Sequence, residues 1–152
     1  KQKTLSCSCW SLNFFWAFHC VKVSEYESLF LTWRNCVADA AEHFLQKTKA
    51  VFDITLGKDG TLLGLNGTTS IIPSIPVQAV DTTGAGDAFV GAVLYQLSKY
   101  TKSETENLQI NDWQKIMTNA NKAGARTCEY LGAMEAFKHL SKDIFNWRKE
   151  WE

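Results

Sequence analysis

Apolar and polar positions along the chain follow two periodicities, one typical of strands and one typical of helices. Val21–Thr32 has the pattern of a strand end followed by a short helix, and Ala50–Leu56 has the composition of a buried strand. Between them, apolar residues at helical spacing indicate another helix, marked by Val37, Ala40, Ala41, Phe44 and Leu45. This order of strand, helix and strand predicts an α/β fold.

The middle of the chain has the pattern of a β-hairpin. Thr61–Leu65 and Thr68–Ile72 flank an Asn-Gly dipeptide, which favours a tight two-residue turn. Pro73 and Pro76 follow, and proline is tolerated at sheet edges but not in central ladders. We therefore expect the hairpin to lie at the edge of a sheet.

The rest of the chain predicts one more strand and further helices. Ile75–Val80 is rich in β-branched residues and predicts a strand, whereas the polar stretch Thr101–Asn111 predicts a loop. The segment that begins at Glu135 predicts a helix ending near Trp147. Two amphipathic helices are predicted from apolar residues at helical spacing, namely Ala85, Ala88, Phe89, Ala92, Val93 and Leu97 in one and Trp113, Ile116, Met117, Ala120 and Ala123 in the other.

The first 20 residues stand apart from this pattern. Thr4–Val21 has no charged residue and is strongly aromatic, so a signal or membrane segment is one reading and a divergent stretch is another. We expect no membrane association, because the segment is interrupted by serines and is short for a bilayer span of ~20 residues. Its aromatic residues are Trp10, Phe14, Phe15, Trp16 and Phe18.

Composition narrows the classes of function. With 152 residues and 45% hydrophobic content, the chain is long enough for one domain with a core. The formal net charge is zero and no basic run occurs, so we expect no nucleic-acid partner. Five cysteines without Cys-x-x-Cys spacing favour a reducing compartment, and we expect the protein to be cytoplasmic. A zinc site is not expected, because the group Cys7, Cys9, His19 and Cys20 has no common zinc spacing.

The stretch Asp81–Phe89 carries the clearest chemistry. Its small residues Gly84, Ala85 and Gly86 begin a helix, where backbone amides lack intrahelical partners and can bind a phosphate. Asp87 stands beside them, where a carboxylate could accept a proton from an attacking hydroxyl. The alternative is a tight glycine turn with Asp87 as a helix cap.

The same stretch resembles the C-terminal signature of the ribokinase-like (PfkB) carbohydrate kinases, and its continuation Val90–Leu97 is similar to the fructokinase branch. The resemblance implies that Asp87 is the catalytic base and that the amides of Gly84, Ala85 and Gly86 form an anion hole. It also implies the C-terminal, nucleotide-binding half of a ribokinase-like three-layer α/β/α (Rossmann-like) fold. We expect residues 21–140 to form this part, with 1–20 unassigned and 141–152 a C-terminal helix or tail.

Two more motifs resemble the family's nucleotide side. Ser24 and Glu27 match a fructokinase variant in which an acid acts on Mg²⁺, although Ser-x-x-Glu is also the sequence of a capping box. Thr55, Gly57 and Lys58 resemble an element that approaches the nucleotide phosphates, although an ordinary turn with a solvated lysine explains them equally. Trp33 departs from the family, which usually has glycine there.

The resemblance implies two further ligand contacts. Asp81 would help to bind a monovalent cation, usually K⁺, although an Asx-turn with its own backbone explains an aspartate there equally well. Asn121 and the loop Gly132–Met134 would line the adenine pocket. The family's usual Leu-Pro after this loop is absent here.

We therefore expect a fragment of an ATP-dependent kinase that phosphorylates a sugar hydroxyl, fructose to fructose 6-phosphate, with Mg²⁺ and K⁺. The half of the family fold that would bind the sugar is not expected in this chain. The alternatives are a non-catalytic nucleotide-binding remnant, a misassembled half-domain or a membrane-tethered interaction module. Ribose and 2-keto-3-deoxygluconate remain open as substrates, and the resemblance implies homodimers for the full-length family.

Overall fold

The computed structural model describes residues 20–139. They form two compact units, of which the first contains residues 20–56 and 62–70 and the second contains residues 57–61 and 71–139. Within this described part, none of the helices is both long and apolar enough to cross a membrane. The aromatic N-terminal segment, Trp147 and the predicted tail lie outside the described residues.

The first unit is built around a sheet. Its elements in chain order are β1 (Cys20–Ser24), α1 (Glu25–Thr32), α2 (Val37–Lys47), β2 (Val51–Thr55), β3 (Thr61–Leu65) and β4 (Thr68–Ile72). The strand order is β1-β2-β3-β4, and β1 and β2 are parallel. The predicted hairpin is confirmed as β3 and β4, and β4 lies at the edge of the described sheet. Three residues at the open end of the hairpin, Thr61, Ile71 and Ile72, belong to the second unit.

The core of the first unit follows from the alternation of side chains along β1 and β2. Val21 lies opposite Phe52 in register, and Val23 lies opposite Ile54, so these residues share one face of the sheet. Phe44 of α2 packs on this face with its ring centroid 5.3 Å from that of Phe52. The buried cluster comprises Val21, Val23, Ala41, Phe44, Phe52, Ile54 and Leu62.

Helix α1 ends at a residue with an unusual conformation. Trp33 forms the C-cap with φ 55° and ψ 37°, the left-handed region that a helix usually reaches with glycine. Its backbone amide donates to the carbonyl of Leu29, and its ring stacks on Phe30 at 6.1 Å between centroids. Trp33 therefore retains the turn geometry of the expected glycine at a cost in backbone strain.

The second unit is helical. It contains a short 3₁₀ turn (Gly57–Asp59), α3 (Ala85–Leu97), α4 (Lys102–Glu106), α5 (Ile110–Thr127) and α6 (Ala136–His139). Helices α3 and α5 pack against each other closely, because a Cβ added at Gly124 would lie 3.1 Å from the carbonyl oxygen of Ala85. Their buried side chains include Phe89, Ala92, Val93, Trp113, Ile116, Met117 and Ala120.

Two sequence-based predictions in this unit are wrong. Ile75–Val80 forms no strand, since no neighbouring strand pairs with it among residues 20–139, and Pro76 has no amide to donate. The stretch predicted as a loop contains helix α4 instead. Its N-cap Thr101 and Glu104 form a capping box, which stabilises a short polar helix without core contacts.

Candidate nucleotide and phosphoryl-transfer site

The N-terminus of α3 has a backbone geometry that requires glycine. Gly84 is the N-cap with φ 83°, and no side chain caps the helix. A Cβ at this position would also lie 2.7 Å from the Cβ of Ala133, too close for any side chain. Both the positive φ and the close approach of Ala133 therefore exclude larger residues here.

The first-turn amides of α3 differ in their hydrogen bonding. The amide of Ala85 donates to the carbonyl of Thr82 at 3.2 Å, and the first bond of the helix runs from Ala88 to Gly84 at 2.9 Å. Within residues 20–139, the amides of Gly84 and Gly86 have no protein acceptor. Two of the three predicted anion-hole amides are thus open to a ligand, and the anion-hole role stays a prediction.

Asp87 lies in the same helical turn as these amides, and its side chain is exposed. An anion held by the amides of Gly84 and Gly86 would therefore sit next to a carboxylate. This juxtaposition is the arrangement needed for a base beside a transferred phosphoryl group. The catalytic role of Asp87 stays a prediction.

The carboxylate of Asp81 contacts two different loops. Its Oδ1 accepts from the amide of Thr83 at 2.9 Å and from the Thr83 hydroxyl at 2.7 Å, which is the predicted Asx-turn. Its Oδ2 accepts from the amide of Gly132 at 2.9 Å. The hydrogen bonds from Thr83, and then that from Gly132, hold the pKa of Asp81 below its usual value.

The loop after α5 exposes apolar side chains beside this contact. Leu131 is 76% exposed and Met134 is 70% exposed, and they flank Gly132 and Ala133. Gly132 has φ 84°, so the chain reverses there in a conformation that favours glycine. Exposed apolar side chains of this kind can cover the face of a base.

In the first unit, Ser24 and Glu27 form the predicted capping box. Glu27 Oε2 accepts from the Ser24 amide and hydroxyl, each at 2.7 Å, and Ser24 Oγ accepts from the Glu27 amide at 3.3 Å. The bonds from the Ser24 backbone, and then from its hydroxyl, lower the pKa of Glu27. The cap is therefore confirmed, and a role in Mg²⁺ binding stays a prediction.

The element after β2 has the geometry of a turn. Thr55 ends the strand, and its hydroxyl makes a weak 3.5 Å contact with the carbonyl of Val23. Gly57 has φ 60° and its carbonyl accepts from Gly60, while Lys58 is exposed. An ordinary turn accounts for these contacts, and phosphate binding by Thr55, Gly57 and Lys58 stays a prediction.

Asn121 is buried and hydrogen-bonded within the second unit. It is only 6% exposed, its Oδ1 accepts from the Thr61 hydroxyl at 2.7 Å, and its Nδ2 donates to the carbonyls of Ile72 at 3.0 Å and Pro73 at 3.4 Å. The side-chain amide of Asn121 is thus hydrogen-bonded within the second unit, and its contact with a nucleotide stays a prediction. Asn121 links α5 to Thr61, Ile72 and Pro73 within the second unit.

A family model described as pfkB family carbohydrate kinase matches residues 15–140 of the chain. The chain belongs to the PfkB family of carbohydrate kinases. Among curated relatives, fructokinase-1 of Zea mays is 39% identical over 115 residues, which is 75% of this chain and 35% of the maize protein. Fructokinase of Vibrio alginolyticus is 33% identical over 122 residues, 76% of this chain and 36% of that protein.

Similar solved structures of carbohydrate kinases support the same family and a common fold. A fructokinase double mutant from Vibrio cholerae O395, bound to fructose, ADP and potassium ion, has a TM-score of 0.72 at 30% identity, covering 82% of this chain and 39% of that chain. Aminoimidazole riboside kinase of Salmonella enterica, complexed with its riboside and an ATP analogue, has a TM-score of 0.76 at 31% identity, covering 89% and 43%. The predicted ribokinase-like α/β fold and the similarity to PfkB fructokinases are confirmed. The PfkB chain spans about a third of the length of the maize and Vibrio alginolyticus relatives.

One ionisable residue of this PfkB chain was not identified from the sequence. Asp53 lies on β2 in register with Lys22 of β1, is 1% exposed, and its Oδ1 has no hydrogen-bond partner among the described residues. Burial, opposed by the charge of Lys22, raises the pKa of Asp53 to about 7. The signal was present in the sequence, as a lone acid among the apolar residues Val51, Phe52 and Ile54.

Across residues 20–139, no group of three or more His, Cys, Asp and Glu side chains is arranged to hold a metal ion. Cys20, Cys36 and Cys128 are free thiols. Glu27 and Asp81 thus remain single predicted carboxylate contacts in separate units.

Proposed function

We propose that the chain carries the ATP side of a sugar kinase site, which transfers the γ-phosphoryl group of ATP to a primary hydroxyl of fructose. The observation that carries this proposal is the N-terminus of α3. There an uncapped helix begins at Gly84 with open backbone amides, and Asp87 lies exposed in the same turn. Positive helix ends and free amides bind phosphate, and a base is needed beside the phosphorus atom that is attacked.

In the proposed reaction, the sugar hydroxyl oxygen forms a bond to the γ-phosphorus, and the bond from that phosphorus to the β–γ bridging oxygen breaks. Asp87 accepts the hydroxyl proton, which makes the attacking oxygen more nucleophilic. The amides of Gly84 and Gly86 donate to the phosphoryl oxygens and stabilise the charge that they carry in the transition state. Lys58 adds a flexible positive charge for the nucleotide phosphates, and Leu131 and Met134 cover the adenine.

The two metal ions implied by the family fit this chain to different degrees. When bound with ATP, Mg²⁺ neutralises charge on the phosphates, and it usually takes only one or two protein carboxylates. Glu27 fits that role, since its carboxylate is exposed and its cap bonds all go to Oε2. A carboxylate offers about four lone-pair sites. Asp81 uses three of them on Thr83 and Gly132, which leaves room for one contact to K⁺.

Fructose is proposed because the curated relatives described above are named fructokinases. The Vibrio cholerae structure also contains fructose together with ADP. Ribose, 2-keto-3-deoxygluconate and a riboside remain alternatives, since another similar structure is an aminoimidazole riboside kinase. A cytoplasmic location is part of the same proposal.

A second candidate function is nucleotide binding without catalysis. It is favoured because, apart from Asp87, the predicted site residues are assigned to the nucleotide, its phosphates or the metal ions and not to the sugar. Phosphoryl transfer needs donor and acceptor held in line with water excluded. A chain that binds only the donor would retain ATP without using it.

Calorimetric titration with ADP and a coupled assay of ADP formation with fructose test both candidates. The variants are Asp87→Asn and, as a control outside the phosphate-binding loop, Asp112→Asn, whose carboxylate caps α5 by accepting from the Gln109 amide. We expect Asp87→Asn to keep ADP affinity within about threefold and to lose at least about 100-fold in turnover, the usual contribution of a general base. Asp112→Asn should retain both properties.

The outcomes separate the candidates. Turnover of Asp87→Asn within about tenfold of the unmodified protein would exclude Asp87 as the base. ADP binding with no transfer to fructose, ribose, 2-keto-3-deoxygluconate or aminoimidazole riboside would support the non-catalytic function. Absence of ADP binding would refute both.

A further inference from the structure

We propose that Asp81 is a positioning residue that links the phosphate loop, Asp81–Gly86, to the base loop, Leu131–Met134. We call this link the clamp. Through it, a ligand that orders one loop also orders the other. This inference rests on the proposed function, because the two loops are assigned to the two ends of a nucleotide. The clamp itself is a contact within the second unit and can be tested without any nucleotide.

The two oxygens of the Asp81 carboxylate bind donors on opposite sides of the clamp. Oδ1 accepts from the amide and hydroxyl of Thr83, both inside the phosphate loop. Oδ2 accepts from the amide of Gly132, which lies 51 positions along the chain in the base loop. Hydrogen bonds to an ionised acceptor are about twice as strong as neutral ones, so this carboxylate can hold both loops at once.

Two neighbouring contacts give the clamp a defined geometry. The amides of Val80 and Asp81 both donate to the carbonyl of Cys128, at 2.7 Å and 3.2 Å. Gly84 packs so closely on Ala133 that even a methyl group would not fit between them. The segment Cys128–Ala133 therefore contacts the chain before, at and after Asp81.

The consequence concerns the amides that would bind phosphate. Gly84 is the N-cap of α3, and its orientation depends on where Ala133 lies. Ala133 in turn follows Gly132, whose amide is held by Asp81. A phosphate that fixes Gly84 and Gly86 should thus reduce the motion of the base loop, and a base held there should pre-order the phosphate amides.

A local turn and a long-range clamp can be distinguished within this chain. Glu104 accepts from the amide and hydroxyl of Thr101, at 2.7 Å and 2.8 Å, which matches the local half of the Asp81 arrangement. Among the described residues Glu104 has no contact corresponding to Gly132. Glu104→Gln is therefore a matched control for the loss of a carboxylate in a local turn.

The decisive variant is Asp81→Asn. An asparagine can still accept from Thr83 through its Oδ1, but its Nδ2 would face the Gly132 amide as a donor facing a donor. Amide hydrogen exchange, followed by NMR without nucleotide, should show Gly132 exchanging at least about tenfold faster in Asp81→Asn. Glu104→Gln should leave Gly132 within about twofold. The measurement is made in sodium buffer and again with KCl.

Two results would overturn the clamp. Unchanged amide exchange of Gly132 in Asp81→Asn would show that the hydrogen bond to Asp81 does not restrain the base loop. An effect of the variant that appears only with KCl would show that Asp81 acts through a cation. If the variant does not fold, amide exchange in the unmodified protein still tests the clamp. The amide of Gly132 should then exchange more slowly than the amides of Leu131 and Ala133, which lack acceptors among the described residues.

Ligand titrations test the coupling that follows from the clamp. Inorganic phosphate, which can occupy only the phosphate loop, should shift the amide resonances of Gly132 and Ala133 in the unmodified protein but not in Asp81→Asn. A shift of equal size in both proteins would contradict coupling through Asp81. Failure of the unmodified chain to bind ADP would refute the proposed function, while the exchange of Gly132 would still report on the clamp.

Discussion

Burial of Asp53 should make the protein less stable as the pH rises towards neutrality. Asp53 is 1% exposed, and Oδ1 has no partner among the described residues, so its ionised form is poorly solvated in the fold. Its pKa is raised from 3.8 to about 7. The folded state holds the Asp53 proton more tightly than the unfolded state does. The contribution of this proton to the free energy of unfolding is therefore complete below pH 3.8 and is lost as the pH rises through about 7.

The size of the effect follows from the shift. Each pKa unit corresponds to about 1.4 kcal/mol, so the whole shift is worth about 4 kcal/mol, of which about 3 kcal/mol is lost between pH 4.5 and neutrality. Asp53→Asn removes the titration and keeps the side-chain shape, whereas Asp53→Leu also removes the buried polar group. Both variants should therefore gain the same amount of stability relative to the unmodified protein as the pH rises, and Asp53→Leu should be the more stable of the two at every pH.

Urea unfolding of the three proteins at pH 4.5, 5.5, 6.5 and 7.5 measures this difference. The other groups with shifted pKa values, such as Glu27 and His43, titrate in all three proteins and cancel in the comparison. Asp59→Asn is the control, because Asp59 is exposed and its loss should change little across the series. A difference between Asp53→Asn and the unmodified protein that varies by less than about 1 kcal/mol over this range would refute the argument.

Two further predictions concern the backbone of α1 and the buried amide of α5. Trp33→Gly should stabilise the protein by about 1 kcal/mol in urea unfolding, because glycine adopts the left-handed φ without strain. Trp33→Ala keeps a strained φ and should not stabilise the protein. Equal effects of the two substitutions would contradict strain at this position. Asn121→Leu should cost about 2–4 kcal/mol, since it leaves the Thr61 hydroxyl and the Ile72 carbonyl without their partner, yet the folded variant should bind ADP within about threefold of the unmodified protein. A loss of ADP affinity with unchanged stability would contradict this expectation and support the predicted contact of Asn121 with the nucleotide.

Where the sequence correctly predicted local structure around the candidate site, the interactions are short-range. Ser24 and Glu27 are three residues apart, and their reciprocal cap is visible in the spacing alone. The Asx-turn of Asp81 and the start of α3 at Gly84 likewise depend on residues within one turn. Short-range hydrogen bonds of this kind form in any context that leaves the segment exposed.

Where the sequence failed, the deciding partner is distant. The hydrogen-bond partners of Asn121 are Thr61 and Ile72, 60 and 49 positions away, and periodicity carries no information about them. Ile75–Val80 has strand composition, but a strand also needs a neighbour, and none of the described strands pairs with it. Composition alone therefore overstated the regular structure there.

The sequence by itself determined the local caps and turns, because the Ser-x-x-Glu cap, the Asn-Gly turn and the Gly-Ala-Gly start of α3 act over a few residues. The tertiary structure alone decided what surrounds each charge. It buried Asp53 beside Lys22, gave Asp81 a second partner in Gly132, and brought Ala133 against Gly84. These are contacts between segments far apart in the chain, and only packing brings them together.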